Sequence, residues 1–308
     1  MTYLSQIDNP PRICLLTGGI APMLTPVLDA YTALWGRVKE RSLQYYEMYP
    51  GDVAVVKTIV QKLLKEAAEL PSGGTLTARR FLQLGLALGG SPTAFASFHA
   101  MLSTAMVNSD GSDSDFTRAF LKYVDSAQNF DDHPIYFWLH ESIYGDGPQM
   151  NSPTNWAAHN AYEALAASNK EYDYKYTSSS NDSNLPTLFF GEMVFPWMPK
   201  DFADVSGVGL QAVANSLAAK TDWPPLYDGD HMRKVLGDGT CKAAAAVYYD
   251  DMYVDFDACM KVTARGGPLQ GCKVWVTNEY QHSGLRDGGS EIFSKLYGMA
   301  TGGIRTPS

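Results

Sequence analysis

The sequence is short of cations, of cysteine and of any long apolar run. Lys and Arg total 24 against 33 Asp and Glu, a formal net charge of −9. Binding to a phosphate backbone needs clustered basic residues, so nucleic acid is not an expected partner. The four cysteines, Cys14, Cys241, Cys259 and Cys272, form no CxxC pair, and no histidine stands at ligand spacing beside them. That pattern argues against a zinc site or a redox motif and predicts buried free thiols; no cofactor or metal is expected. No apolar stretch approaches the roughly 20 residues of a membrane span, and residues 1–20 lack the charged-then-apolar order of a signal peptide. A cytoplasmic protein that does not enter the membrane is expected. There is no internal repeat. The one low-complexity piece, "YKYTSSSNDSN" (174–184), reads as an exposed loop.

What is present is ample material for a core. Of 308 residues 45% are hydrophobic and 19% charged, with 18 Tyr and 6 Trp, the composition of a globular chain of one large or two intimate domains. "RICLLTGG" (12–19) is a continuous β-prone run closed by Gly18 and Gly19, the pattern of a strand buried on both faces. From Thr25-Pro26 the period changes: Leu28, Tyr31, Trp35 and Val38 fall at steps of three and four, which predicts a helix with one buried face. Asp52 opens a second helix that "PSGG" (71–74) stops, and further helices are predicted over 77–88, 92–106, 114–128, 134–144, 155–167 and 209–219. From residue 241 the order is strand, acid, helix (about 256–265), strand, histidine, helix, which implies parallel strands with helices packed on them. The expected organisation is α/β: a sheet segment at 1–24, a helical insertion at 25–236 and a second sheet segment at 237–308.

Functional groups in such sheets gather at the C-terminal ends of the strands. "AAAAVYYDDMYVD" (243–255) breaks there into Asp250 and Asp251, and "KVWVTNEYQHSGLR" (273–286) breaks into His282. A carboxylate that fixes a histidine's tautomer, and a histidine that takes a hydroxyl's proton, are two of the three parts of a hydrolytic triad. The residues alone do not choose between Asp250 and Asp251. No G-x-S-x-G accompanies them: Ser91 and Ser290 each follow a glycine by two, but Thr93 and Ile292 stand two after, outside any strand–turn–helix context. The remaining histidines, His99, His133, His140, His159 and His231, show no ligand spacing and read as structural or surface residues.

The words "RRFLQLGLALGG", "GEMVFPWM", "DWPPLYD", "AAAAVYYDDMYVD" and "VWVTNEYQHSGLR" closely resemble the prolyl aminopeptidases (proline iminopeptidases), α/β-hydrolases with a helical cap that release N-terminal proline from peptides. The resemblance implies Asp251 as the triad acid, since it precedes a Met at the strand end, and His282 as the base. It also implies that the nucleophile elbow, with its serine, and the first strands of the sheet would lie upstream of Met1, so that the chain as written is expected not to hydrolyse proline-p-nitroanilide. An inactive, hydrolase-like or small-ligand-binding protein is the alternative expectation. An exopeptidase must also hold a cationic amine, which calls for carboxylates. By resemblance Glu192 matches the glutamate of an "IEN"-type motif and Glu141 one in a cap helix. Phe137, Trp138, Tyr144, Phe195 and Trp197 are the aromatic candidates for an apolar pyrrolidine pocket.

Overall fold

The computed structural model describes residues 1–107, 115–127, 133–147, 153–182 and 184–306. A short helix α1 (Thr2–Gln6) leads into strand β1 (Ile13–Leu16), after which the chain turns helical through α2 (Val27–Met48) and α3 (Asp52–Lys65). A two-stranded hairpin, β2 (Ala68–Glu69) with β3 (Thr75–Leu76), follows, then α4 (Ala78–Gln83), α5 (Ala94–Ser103), α6 (Arg118–Ala127), α7 (Pro134–Leu139), α8 (Ala157–Ser168), α9 (Tyr174–Ser179), α10 (Met198–Asp201) and α11 (Val208–Ala218). The last part runs α12 (Gly229–Gly237), β4 (Lys242–Tyr248), α13 (Phe256–Thr263), β5 (Lys273–Thr277) and α14 (Gly284–Thr301). No helix among the described residues is long and apolar enough to cross a membrane.

β1, β4 and β5 form a parallel sheet in the order β1-β4-β5, with Ile13 opposite Lys242 and Ala244 opposite Lys273. β4 is the central strand, which is why a run of alanines is held extended against its helical preference: its neighbours take its backbone groups on both sides, and both faces are covered. Alternation along the strand splits its side chains. Ala243, Ala245 and Val247 join Met232, Val235 and Val262 under α12 and α13, whereas Ala244, Ala246 and Tyr248 pack against Ile292, Leu296 and Met299 of α14. β1 departs from the expectation of a strand buried on both faces. It pairs on one side only among the described residues, and all four of its residues are half-buried.

The helical part has its own core, built on aromatic side chains such as Tyr31, Trp35, Tyr45, Phe81, Phe98 and Phe189. Two of its predicted helices are shorter and change character. The run 77–88 is α4 followed by a 3₁₀ segment, Leu84–Gly89, and 134–144 is α7 followed by the 3₁₀ turn Glu141–Tyr144. The run 114–128 resolves as α6, its end residues lying outside the described set. The loop expected at 174–184 is corrected: residues 174–179 are helix α9, with Thr177 and Ser178 buried. Composition pointed to a loop because serine is a weak helix former. The helix is held instead by the Asp173 cap, which accepts from Lys175 N and Tyr176 N, and by Gln61 and Lys57 of α3, which donate to the carbonyls of Ser178 and Ser180.

The two bodies are joined by the segment that follows β4. Met252 is buried in the helical core, Tyr253 donates its hydroxyl to the Leu86 carbonyl, and Asp255 pairs with Arg37 of α2 at 3.4 Å. The strand end that carries the candidate acid is thereby also the seam of the molecule.

Candidate active site

Asp251 lies just past the end of β4 and is 2% exposed. Its two oxygens have separate partners. Oδ1 accepts from Tyr253 N at 2.8 Å and Val254 N at 3.1 Å, and Oδ2 accepts from His282 Nδ1 at 2.9 Å. A carboxylate can only accept, so the bond to Oδ2 fixes the proton on Nδ1 and leaves Nε2 as the basic nitrogen. No group among the described residues meets Nε2, and the His282 side chain is 29% exposed, enough to reach a reactant. Burial pushes the His282 pKa down, but the hydrogen bond and charge of Asp251, with the charge of Glu192, outweigh it, and the net direction is upward. Asp250, one residue earlier, is half-buried and takes no part in the pair.

Beside this pair opens a cavity of about 230 Å³ at the seam. Its floor is the turn after β1, Gly18 to Pro22; one wall is α2 through Ala30 and Leu34; the other walls carry His140, Ile143, Tyr144, Glu192, Tyr227, Tyr253 and Asp255. Tyr253 connects the two, since its ring meets His282 edge-on with centroids 4.8 Å apart. The glycine at 19 is required by its conformation and by its surroundings. Its φ is +121°, and a Cβ there would stand 2.7 Å from Val254 Cγ2. Two carboxylates line the cavity. Asp255 is answered by Arg37 and by the first turn of α13, where it accepts from Ala258 N. Glu192 has no cation beside it among the described residues; Oε1 accepts from Tyr136 Oη at 2.6 Å. Burial, then the charge of Glu192, pushes the Tyr136 pKa well up.

The expected site residues divide. Glu192 and Tyr144 line this cavity. Phe137, Trp138 and Glu141 line a second, much smaller one, with Thr154 and Trp156. Glu141 is not on a solvated helix face: it is 6% exposed, and Oε1 accepts from Ala158 N at 3.3 Å, in the first turn of α8. The N-cap of that helix, Trp156, has φ +58° and makes no side-chain cap bond, so the Glu141 carboxylate supplies one from another element. Burial raises its pKa, against the pull of hydrogen bonds from Thr154 and the α8 backbone. Phe195 and Trp197 line neither cavity; they stack on each other at 5.0 Å within the helical core, with Arg79 over Trp197. His140, read from sequence as structural or surface, stands in the wall of the main cavity. Tyr227 and Tyr253 are also additions. Tyr253 had a signal, being the second residue after the acid; His140 and Tyr227 had none, because the loops that bring them in are far apart in the chain.

The cysteines are free, and burial pushes the thiols of Cys241, Cys259 and Cys272 up to about 11, 12 and 12. None of these thiols is activated as a nucleophile. No group of metal-ligating side chains occurs among the described residues.

A parallel sheet that delivers a buried carboxylate and a histidine, hydrogen-bonded to each other, from adjacent strand ends defines an α/β protein with a carboxylate–imidazole pair at the place where such sheets carry their functional groups. Comparison with characterised proteins narrows this. The chain is 33% identical over 300 residues to the proline iminopeptidase of Aeromonas sobria, covering 96% of this chain and 63% of that protein. It is 27% identical over 305 residues to the proline iminopeptidase aneH of Aspergillus aculeatus, covering 97% and 61%. No protein-family profile matches. The chain is thus similar to two proline iminopeptidases over nearly its whole length, and it spans about three-fifths of the length of these curated relatives.

Proposed function

We propose that the chain carries the acid and base limbs and the substrate cavity of a prolyl aminopeptidase-type serine hydrolase, with the helical part serving as a cap over an α/β-hydrolase core. The hydroxyl nucleophile is not identified among these 308 residues, which hold no G-x-S-x-G. In the proposed reaction His282 Nε2 takes the proton of that hydroxyl as its oxygen attacks the carbonyl of the substrate's first residue. The imidazolium, steadied by Asp251, then returns the proton to the leaving amine, and water repeats the cycle on the acyl-enzyme. The Glu192 carboxylate holds the terminal ammonium, and Leu34, Ile143 and Tyr144 offer the apolar wall for a pyrrolidine ring.

The observation that carries this reading is the placement of Glu192: a cavity-wall carboxylate without a cation among the described residues, one tyrosine away from the Asp251–His282 pair. Glu141 is left out of the anchor because its carboxylate caps α8. Calorimetric titration tests the reading on the chain itself. L-prolinamide is expected to bind and N-acetyl-L-prolinamide to bind far more weakly. Glu192→Gln, which keeps shape and removes charge, is expected to lower prolinamide affinity by roughly 10- to 100-fold, the range for a lost charged hydrogen bond. Equal binding of the two amides, or a Glu192→Gln variant that binds as the parent does, overturns the assignment of Glu192.

A further inference from the structure

We propose that His140 is a positioning residue for the amine site: as a neutral imidazole it leaves the Glu192 carboxylate open to a cationic substrate, and once protonated it competes with that substrate. This inference rests on the reading of Glu192 given above and adds the group that controls it. The geometry is specific. His140 lies in the wall of the main cavity with Glu192, whose charge acts on it, and its ring stands tilted at 4.7 Å from that of Tyr136, whose hydroxyl holds Glu192 Oε1. The ring that holds the Glu192 carboxylate is thus itself flanked by the His140 imidazole.

The groups that face this ring narrow what can titrate beside it. Tyr136 comes from its own helix, Tyr144 and Glu141 from the following turn, Tyr31 from α2, and Tyr227, Tyr253 and Asp255 from across the cavity. Burial pushes each of the tyrosines upward, out of the acid range. Asp255 is paired with Arg37, and Glu141 is held by the first turn of α8. His140 is the cavity-wall group on the helical part that gains charge as pH falls; His282, on whose raised pKa the Glu192 charge also acts, likewise gains a proton as pH falls and is common to the parent and every His140 variant. Burial lowers the His140 pKa more than the Glu192 charge raises it, so the ring gains its proton at lower pH than an ordinary histidine does. The substrate amine stays protonated throughout. A new positive charge a few ångströms from a bound ammonium, at the effective dielectric of a half-buried wall, weakens binding on the order of ten-fold.

The test is the affinity of the 308-residue chain for L-prolinamide between pH 5 and pH 8, compared in the parent, His140→Asn and His140→Phe. Both replacements are neutral at every pH; Asn keeps a polar group at the cavity wall and Phe keeps a ring beside Tyr136. In the parent, affinity is expected to fall on the order of ten-fold more steeply towards pH 5 than in either variant, while all three agree at pH 8 to within a few-fold. A parent and both variants that lose affinity in parallel overturn the role of His140 and leave Glu192 untouched, because that fall then belongs to a group the three proteins share, such as His282. A parent that fails to bind prolinamide at pH 8, or that binds it as Glu192→Gln does, overturns both readings.

Discussion

At Asp251 one side chain serves two purposes through its two oxygens. Oδ1 ties the turn that carries Tyr253 and Val254, and Oδ2 orients His282. An asparagine in its place can keep the first, through its carbonyl oxygen, but presents an amide N–H₂ to a ring nitrogen that is itself a donor. Asp251→Asn is therefore expected to retain the fold and to lower the His282 pKa, since burial then acts with little to oppose it. An NMR titration of the histidine ring reads this directly, and an unchanged midpoint would mean that Asp251 does not set it. The same pair gives stability a definite sign with pH. The folded-state pKa of His282 is raised above its usual 6.5, so the stabilisation is full below that value and is lost as pH rises through the folded one. In the asparagine variant this alkaline loss should disappear from the pH dependence of urea unfolding. The residues alone could not choose between Asp250 and Asp251. A carboxylate that leaves a strand one residue earlier points to the other face, and only the course of the turn decides which one meets the histidine.

At the scale of elements, the turn after β1 makes the sharpest prediction. Gly18 and Gly19 both have positive φ, +79° and +121°, but only Gly19 is crowded. Gly18→Ala meets nothing within 4 Å and should cost about 1 kcal/mol, the penalty for a side chain in the left-handed region. Gly19→Ala places its Cβ 2.7 Å from the branched side chain of Val254, whose backbone is tied to Asp251, and should cost roughly 2–4 kcal/mol as the two penalties combine. Midpoints of urea unfolding with unchanged slopes measure both, and equal losses would show that the turn is not pinned by Val254. Elements of this kind were the legible part of the sequence. The β1, β4 and β5 runs, the change of period at α2 and the acid and histidine at the strand ends all follow from local pattern. α9 was not legible, because six residues of Tyr, Lys, Thr and Ser carry no apolar period and are held helical by partners on α3. The contact of Glu141 with α8 was not legible for a similar reason. Its neighbours in sequence are aromatic, but the groups it serves are the N–H groups of a helix that starts sixteen residues later.

The whole molecule is two cores with a working seam. The sheet and its helices position Asp251 and His282, the helical part positions Glu192 and His140, and the segment 251–255 belongs to both. Sequence pattern could find the parts on each side but not the cavity between them, since its walls come from five separate stretches of chain. That is why Glu192 and Tyr144 line it while Phe195 and Trp197, adjacent in sequence to Glu192, are core. In the proposed function Asp251 and His282 act together as base machinery for cleavage at N-terminal proline. The most direct measurement is kcat/KM on proline-p-nitroanilide for a polypeptide that carries this chain together with a G-x-S-x-G elbow, comparing His282→Ala, Asp251→Asn and Asp250→Asn with the parent. Losses on the order of 10⁵- to 10⁶-fold are expected for His282→Ala and about 10⁴-fold for Asp251→Asn, with Asp250→Asn within a few-fold of the parent. Turnover that survives His282→Ala, or a loss at Asp250 as large as at Asp251, would contradict it.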